Sequence, residues 1–292
     1  MQEWKEYIQQ LQEEVASKSE CSKEQLAQIL QDTILSQGKQ HQPLGVLFSG
    51  GVDSTSICYL LQQHNIPFIA ITIGFQDNTE QKLPDDILIA RRVAKEYNFT
   101  YKEKVFNFEE IEHLFKQTVA ILGPELTNAV NIGVGSVELA AITLAKEEGI
   151  HYLMGGLGSE EIFAGYQRHK QAEDITQECW NGLENMYERD LLRDQALAKA
   201  TDCTWLTPFL DKELIIQAMT IPSEKKISQG FTKYILREII HEKGLKEEYA
   251  FRPKKAAQYG SRTDRALDKL AKKNGFQYKR DYLQALVKKV QE

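Results

Sequence analysis

The stretch Phe48-Ser49-Gly50-Gly51-Val52-Asp53-Ser54-Thr55 carries the reading of this chain. Gly45-Val46-Leu47-Phe48 leads in as an apolar run of strand type, two glycines make a turn, and Ile57, Cys58, Leu60 and Leu61 continue it as a helix. Strand, glycine turn and helix start form a phosphate-binding geometry. The first N–H groups of a helix lack intrahelical partners and lie at the positive end of its dipole. Glycines let that backbone approach a polyanion closely, and Ser49, Ser54 and Thr55 add hydroxyl donors. Asp53 is an acid in an anion-binding turn, which makes chemical sense when a divalent cation lies between it and the phosphates. Mg-nucleotide chemistry follows as the expectation. No lysine follows the glycines, so this is not the Gly-Lys-Ser/Thr nucleotide loop.

The turn matches every fixed position of the S-G-G-x-D-S loop of the PP-loop ATP pyrophosphatases. The resemblance implies a loop that grips pyrophosphate while the α-phosphate of ATP is attacked. The rest of the chain sets bounds on that reading. Its 292 residues, 42% hydrophobic and 27% charged, suffice for a sizeable core, and a net charge of −6 points to neither a nucleic-acid nor a membrane surface. No basic-then-apolar signal opens the chain and no run of about 18 apolar residues occurs, so a soluble, cytoplasmic protein is expected. Cys21, Cys58, Cys179 and Cys203 are not spaced in pairs, and the six histidines form no H-x-x-x-H. Neither a zinc site nor a redox dithiol is indicated.

Trp4, Ile8, Leu11 and Val15 form a helical stripe over residues 3–17, readable as core packing or as a docking face for a partner. Ser22 and Gln25 make a capping box for a second helix that Gly38 is expected to end. Beyond the central turn, strands are expected at Pro67-Phe68-Ile69-Ala70-Ile71-Thr72-Ile73, at residues 100–105 and at residues 151–154. Helices are expected from Pro84 through Tyr97, from Asn107 through Ile121 with Gly123-Pro124 as the break, and over residues 136–148. Alternating strands and helices predict an α/β fold with a doubly wound parallel sheet, whose ligands bind at strand C-termini near the switch point. After Glu160 the strand signal fades. Helices are expected over residues 161–169, 177–200, 211–219, 231–242, 262–273 and 281–290. We divide the chain into N-terminal helices (1–42), a nucleotide-binding domain (43–265) and a C-terminal helical extension (266–292).

A second glycine turn follows the 151–154 strand: Gly155-Gly156-Leu157-Gly158-Ser159-Glu160-Glu161-Ile162-Phe163-Ala164-Gly165-Tyr166. An acid here, facing Asp53, could share a Mg²⁺; equally, Glu160 and Glu161 could simply favour a helix N-terminus. This stretch resembles the S-G-E-G-S-D-E-x-F-G-G-Y motif of asparagine synthetases, and the order and spacing of the two motifs agree. Asp190-Leu191-Leu192-Arg193 is similar to the family's D-x-x-R, Thr207-Pro208-Phe209-Leu210-Asp211 to its V-P-F-L-D, and Arg252-Pro253-Lys254 to its R-x-K. The similarity spans residues 22–265, and the stretch from Arg252 to Arg262 resembles the asparagine-synthetase-domain-containing group.

The resemblance implies an amide-forming ligase using ATP and Mg²⁺. A carboxylate, of which aspartate is one candidate, attacks ATP to give an acyl-adenylate and pyrophosphate, and ammonia or another amine displaces AMP. On the matched positions, Ser49, Gly50, Gly51, Asp53 and Ser54 hold pyrophosphate, and Asp53 and Glu160 ligate Mg²⁺. Lys254 stabilises the α-phosphate under attack. Ile73, Gly74, Gly155 and Gly156 border adenine and ribose, while Tyr166, Asp190 and Arg193 face the acyl substrate. Read without the motif, a lone lysine such as Lys254 is a solvated surface residue. Leu157 stands where the synthetases carry a glutamate able to accept a proton from the amine, and Glu160 stands for their aspartate. The loop comes too early for a preceding glutaminase domain, so ammonia is expected from solution or from a separate glutaminase subunit. A non-catalytic ATP-binding protein and a synthetase subunit working with a separate amidotransferase are the alternatives.

Overall fold

A computed structural model describes residues 1–77, 82–253 and 257–291. Five strands, β1 (Leu44–Leu47), β2 (Ile69–Phe75), β3 (Tyr101–Phe106), β4 (Tyr152–Met154) and β5 (Thr204–Leu206), form one parallel sheet in the order β3-β2-β1-β4-β5. Val46 of β1 pairs with Ala70 on one side and Met154 on the other. From β1 the chain winds outward through β2 and β3, then returns to lay β4 and β5 on the opposite side. The expected doubly wound sheet is therefore present, with its switch point between β1 and β4. β5 is an addition to the expected set: Leu153 pairs with Trp205 in a strand of three residues, where only helices were anticipated.

Alternate residues of the strands feed two cores, because successive side chains leave opposite faces of a strand. Val46, Ala70 and Met154 join one core, while Ile71, Ile73 and Leu153 join the other. The first core is covered by α1 (Gln2–Ala16), α2 (Lys23–Gln40), α3 (Val52–Gln63) and α4 (Asp85–Tyr97). Ile8 and Leu11 of α1 are fully buried in it, and the Trp4 indole donates to the Leu183 carbonyl at 2.8 Å. The helical stripe is thus core packing, and α1 and α2 share a core with β1. The Ser22–Gln25 capping box forms as expected. Gly38 does not end α2, which runs to Gln40: a Cβ at Gly38 would lie 2.6 Å from Leu61 Cδ2, so the glycine serves close packing on α3.

The second core lies under α5 (Phe108–Leu126), α6 (Ala129–Glu147) and the C-terminal helices Thr263–Lys273 and Lys279–Gln291. The expected break at Gly123-Pro124 is present: Gly123, at φ +67° and ψ −179°, leaves the helical region and kinks α5 there, while α6 starts earlier than expected, at an Asn128 cap. The expected helix at 161–169 is instead α7 (Ser159–Ile162), a left-handed Ala164 and a separate turn, Gln167–Gln171. Helix Ile175–Met186 continues through a π-helical turn, Tyr187–Leu191, into Leu192–Thr201. The four cysteines are buried and unpaired.

Candidate active site

The loops after β1 and β4 meet at the switch point. In the first, Gly50 takes φ +69° and Gly51 caps α3. The Ser54 hydroxyl accepts from the Ser49 N–H at 3.2 Å, and the Ser49 hydroxyl accepts from the Gly51 N–H at 3.3 Å. Asp53 in the first turn of α3 abuts the second loop. A Cβ at Gly156 would approach Asp53 Cβ to 2.9 Å, so the two loops touch only because position 156 is glycine. The Gly155 N–H donates to the Leu206 carbonyl at 3.0 Å, so β5 carries the second loop. Gly158 at φ +96° starts α7 and delivers Glu160 to the same point.

That point is occupied by Lys233, a residue without any signal in the sequence. Its ammonium donates to Asp53 Oδ1 at 2.6 Å, to Glu160 Oε1 at 2.5 Å and to Ser159 Oγ at 3.0 Å, and its side chain is fully buried. Burial pulls its pKa below the usual lysine value, and the neighbouring Asp53 carboxylate acts against that shift. Lys233 takes left-handed backbone angles, φ 55° and ψ 33°, at the start of helix Tyr234–Glu242. Gly165 packs directly on the cluster, where a Cβ would lie 1.9 Å from Glu160 Oε2 and 2.2 Å from Lys233 Cε. Beside Gly165 opens a cleft of about 710 Å³, lined by Tyr166, Lys170, Phe231, Thr232, Arg237 and Tyr259 among others.

The expected residues fall into distinct places. Asp53, Glu160, Ser49, Gly50, Gly51, Ser54, Gly155 and Gly156 come together around the loop junction. Ile73 is 2% exposed with its side chain in the second core, and Gly74 packs against Ile87 and Pro84, so this strand end offers mainly backbone. Tyr166 lines the cleft with the Arg168 guanidinium 4.0 Å above its ring and Arg189 at 5.4 Å. Burial, reinforced by Glu161, holds its phenol protonated well above the usual range. Its backbone N–H donates to His169 Nδ1 at 3.0 Å.

Arg193 lies in a separate buried network. It donates to Glu138 at 3.0 and 3.1 Å, to Asp194 at 2.8 Å and to Asp190 at 3.4 Å. Asp190 also receives Arg189 at 2.7 Å, and Arg189 in turn pairs with the buried Glu161 at 2.5 Å. Leu157 is partly buried against the first core. Lys254 lies outside the described residues.

Asp53 and Glu160 supply the hard oxygen donors that Mg²⁺ takes, but the point their Oδ1 and Oε1 share is held by the Lys233 ammonium, so a cation completed by phosphate oxygens and water would lie beside that point. Among the described residues no cluster of three or more His, Cys, Asp or Glu side chains is placed to form a cation cage by itself.

The asparagine synthase family profile matches residues 25–175 and 169–288. A Methanocaldococcus jannaschii protein, assigned by name to the glutamine-hydrolysing asparagine synthetases, is 30% identical over 93% of this chain and 56% of its own length. The Gallus gallus asparagine synthetase is 27% identical over 83% of this chain and 43% of its own. The chain thus spans about half the length of these relatives. Among solved structures, the NMN synthetase of Francisella tularensis aligns with a TM-score of 0.35 and 14% identity over 87% of this chain and 97% of that one. On the strength of the family match, the chain belongs to the asparagine synthase family.

Proposed function

We propose that this protein is an ATP- and Mg²⁺-dependent ligase that adenylates a carboxylate with release of pyrophosphate and passes the acyl group to ammonia or another amine. The observation that carries this reading is the convergence of Asp53 and Glu160, from two glycine turns, on Lys233 at the switch point of the sheet. In this reading the backbone at Ser49, Gly50 and Gly51 and the Ser54 hydroxyl bind the pyrophosphate portion, and Asp53 and Glu160 hold the metal. Mg²⁺ held there would neutralise charge on the leaving pyrophosphate. Lys233 keeps the two carboxylates in register and adds positive charge next to the phosphates. Gly155, Gly156 and the backbone at Ile73 and Gly74 border the nucleoside. Tyr166 and Asp190 face the acyl substrate, with Arg193 positioning Asp190, and Lys254 serves the α-phosphate.

The test is pyrophosphate release from Mg-ATP with ammonium and a set of carboxylates that includes aspartate. Carboxylate-dependent pyrophosphate is the expected result. ATP binding with no pyrophosphate from any acid would favour the second reading, a nucleotide-binding protein without turnover. Leu157 is the observation behind that alternative: it packs as an apolar residue where a proton acceptor would stand, and Leu157→Glu is then expected to restore some turnover.

A further inference from the structure

Arg252 sits under the first glycine turn. Its Nη1 donates to the Gly50 carbonyl at 3.0 Å and to the Ser49 carbonyl at 3.4 Å, and Nη2 lies 3.8 Å from Asp86 Oδ1. The backbone at Arg252 is itself anchored: Arg237 Nη1 donates to the carbonyls of Ala250 at 2.7 Å and Arg252 at 3.0 Å, and Arg237 Nε donates to the Thr232 carbonyl at 2.8 Å. The helix start that presents Lys233 to the carboxylates therefore also fixes, four residues on, the segment that presents Arg252 to the turn.

A trans peptide points its C=O and N–H in opposite directions. The Ser49 carbonyl shares a peptide with the Gly50 N–H, and the Gly50 carbonyl with the Gly51 N–H. Drawing both carbonyls to one side commits both N–H groups to the other. Gly50, at φ +69°, is the flexible member of the pair, so an external grip is what selects one orientation of its peptides.

We propose that Arg252 is a positioning residue for pyrophosphate: by holding the Ser49 and Gly50 carbonyls from below, it keeps the Gly50 and Gly51 amides on the side where the β- and γ-phosphates bind, the Gly51 amide resting on the Ser49 hydroxyl until phosphate replaces it. This rests on the adenylation reading of the loop. It predicts a selective defect, because AMP has no β- or γ-phosphate for those amides to hold.

Binding of Mg-ATP, Mg-pyrophosphate and AMP to the full chain by titration calorimetry tests it. Arg252→Gln is expected to weaken ATP and pyrophosphate each by about tenfold, the scale of losing a charge-assisted hydrogen bond, and to leave AMP unchanged. Arg252→Lys, able to reach one carbonyl without the fork, recovers part of the loss. Asp86→Asn, which leaves the arginine in place but removes its ion pair, gives a smaller loss with the same selectivity. It supplies the same test if both Arg252 variants fold poorly. Unchanged pyrophosphate affinity in the variants, or an equal loss for AMP, overturns the positioning role while ATP binding by the wild type keeps the adenylation reading alive. A wild-type chain that binds neither ATP nor pyrophosphate removes both.

Discussion

Lys233 and Arg193 are both buried cations ringed by acids, and they differ in what surrounds the ring. Lys233 meets Asp53 and Glu160 between two strand ends, with Gly156 and Gly165 packed so closely that no side chain fits at either position. Arg193 meets Glu138, Asp190 and Asp194 between helices, beside Leu197 and Gly135, where a Cβ would lie a tight but relievable 3.3 Å from Arg193 Cδ. Burial raises Asp194 well above the usual aspartate range, with Glu138 adding to the shift and Arg193 opposing it. A ring of charge is thus not enough to mark the phosphate and metal site. Close backbone approach at the end of a parallel sheet separates the first cluster from the second.

The comparison breaks or sharpens with paired substitutions. Arg193→Met leaves Glu138 and Asp194 buried face to face. It should cost about 3–5 kcal/mol of stability, the range for removing one partner of a buried ion network, read from chemical denaturation. The loss should not respond to Mg²⁺, and the folded fraction should bind ATP normally. Lys233→Met should lower pyrophosphate release by about 10²–10³-fold, as removal of a buried charge-stabilising donor does. Here added Mg²⁺ should recover part of the lost stability, because Asp53 and Glu160 can share the cation instead. Equal Mg²⁺ responses in the two variants would erase the distinction between the clusters.

Glycine substitutions probe the same contrast more gently. Gly165→Ala forces a methyl into Glu160 and Lys233 and should cost about 1–3 kcal/mol, the usual scale of overpacking. Gly135→Ala in α6 needs only a few tenths of an ångström from Arg193 and gains helix propensity, so its net effect should stay within about 1 kcal/mol of zero. Denaturant midpoints of the two variants give the answer directly.

The smallest effect per step is a pH dependence on the Lys233 side. Burial lowers His169, which accepts the Tyr166 N–H, to about 4 from an ordinary 6.5. The unfolded chain binds a proton there below pH 6.5 and the folded chain does not until about pH 4, so stability falls as pH drops through that window. The slope attributable to this one group is about 1.4 kcal/mol per pH unit at most. His169→Gln should flatten that part of the profile, and an unchanged slope would place the titration elsewhere.

Much of this was legible in the residues. The glycine turn at Ser49-Gly50-Gly51, the Ser22 capping box and the apolar runs of β1 and β2 are local signals with local causes, and they appear where expected. β5 was not legible, since Thr204-Trp205-Leu206 is too short for a periodic pattern and becomes a strand only by pairing with β4. Gly38 misled because the same residue that can stop a helix can also let two helices touch. Lys233 had no local mark at all: in Phe231-Thr232-Lys233 it reads as one more polar residue in the first turn of the helix expected over 231–242, which in the structure starts only at Tyr234. Its burial arises from two loops 180 and 73 positions away in sequence.

Yet the backbone at Lys233 carries its own signature. A lysine at φ 55° and ψ 33° gives up about 1 kcal/mol or more that a glycine there would keep. The fold accepts this local strain at the one position where an ammonium must enter sideways between two acids, and glycine, the comfortable choice, would leave them bare. Among proteins sharing this sheet, a non-glycine residue in left-handed conformation at the head of a helix, with a buried charged side chain, is a geometric search term. It would retrieve comparable sites without any motif, and it would still work where the glycine turns have drifted beyond recognition.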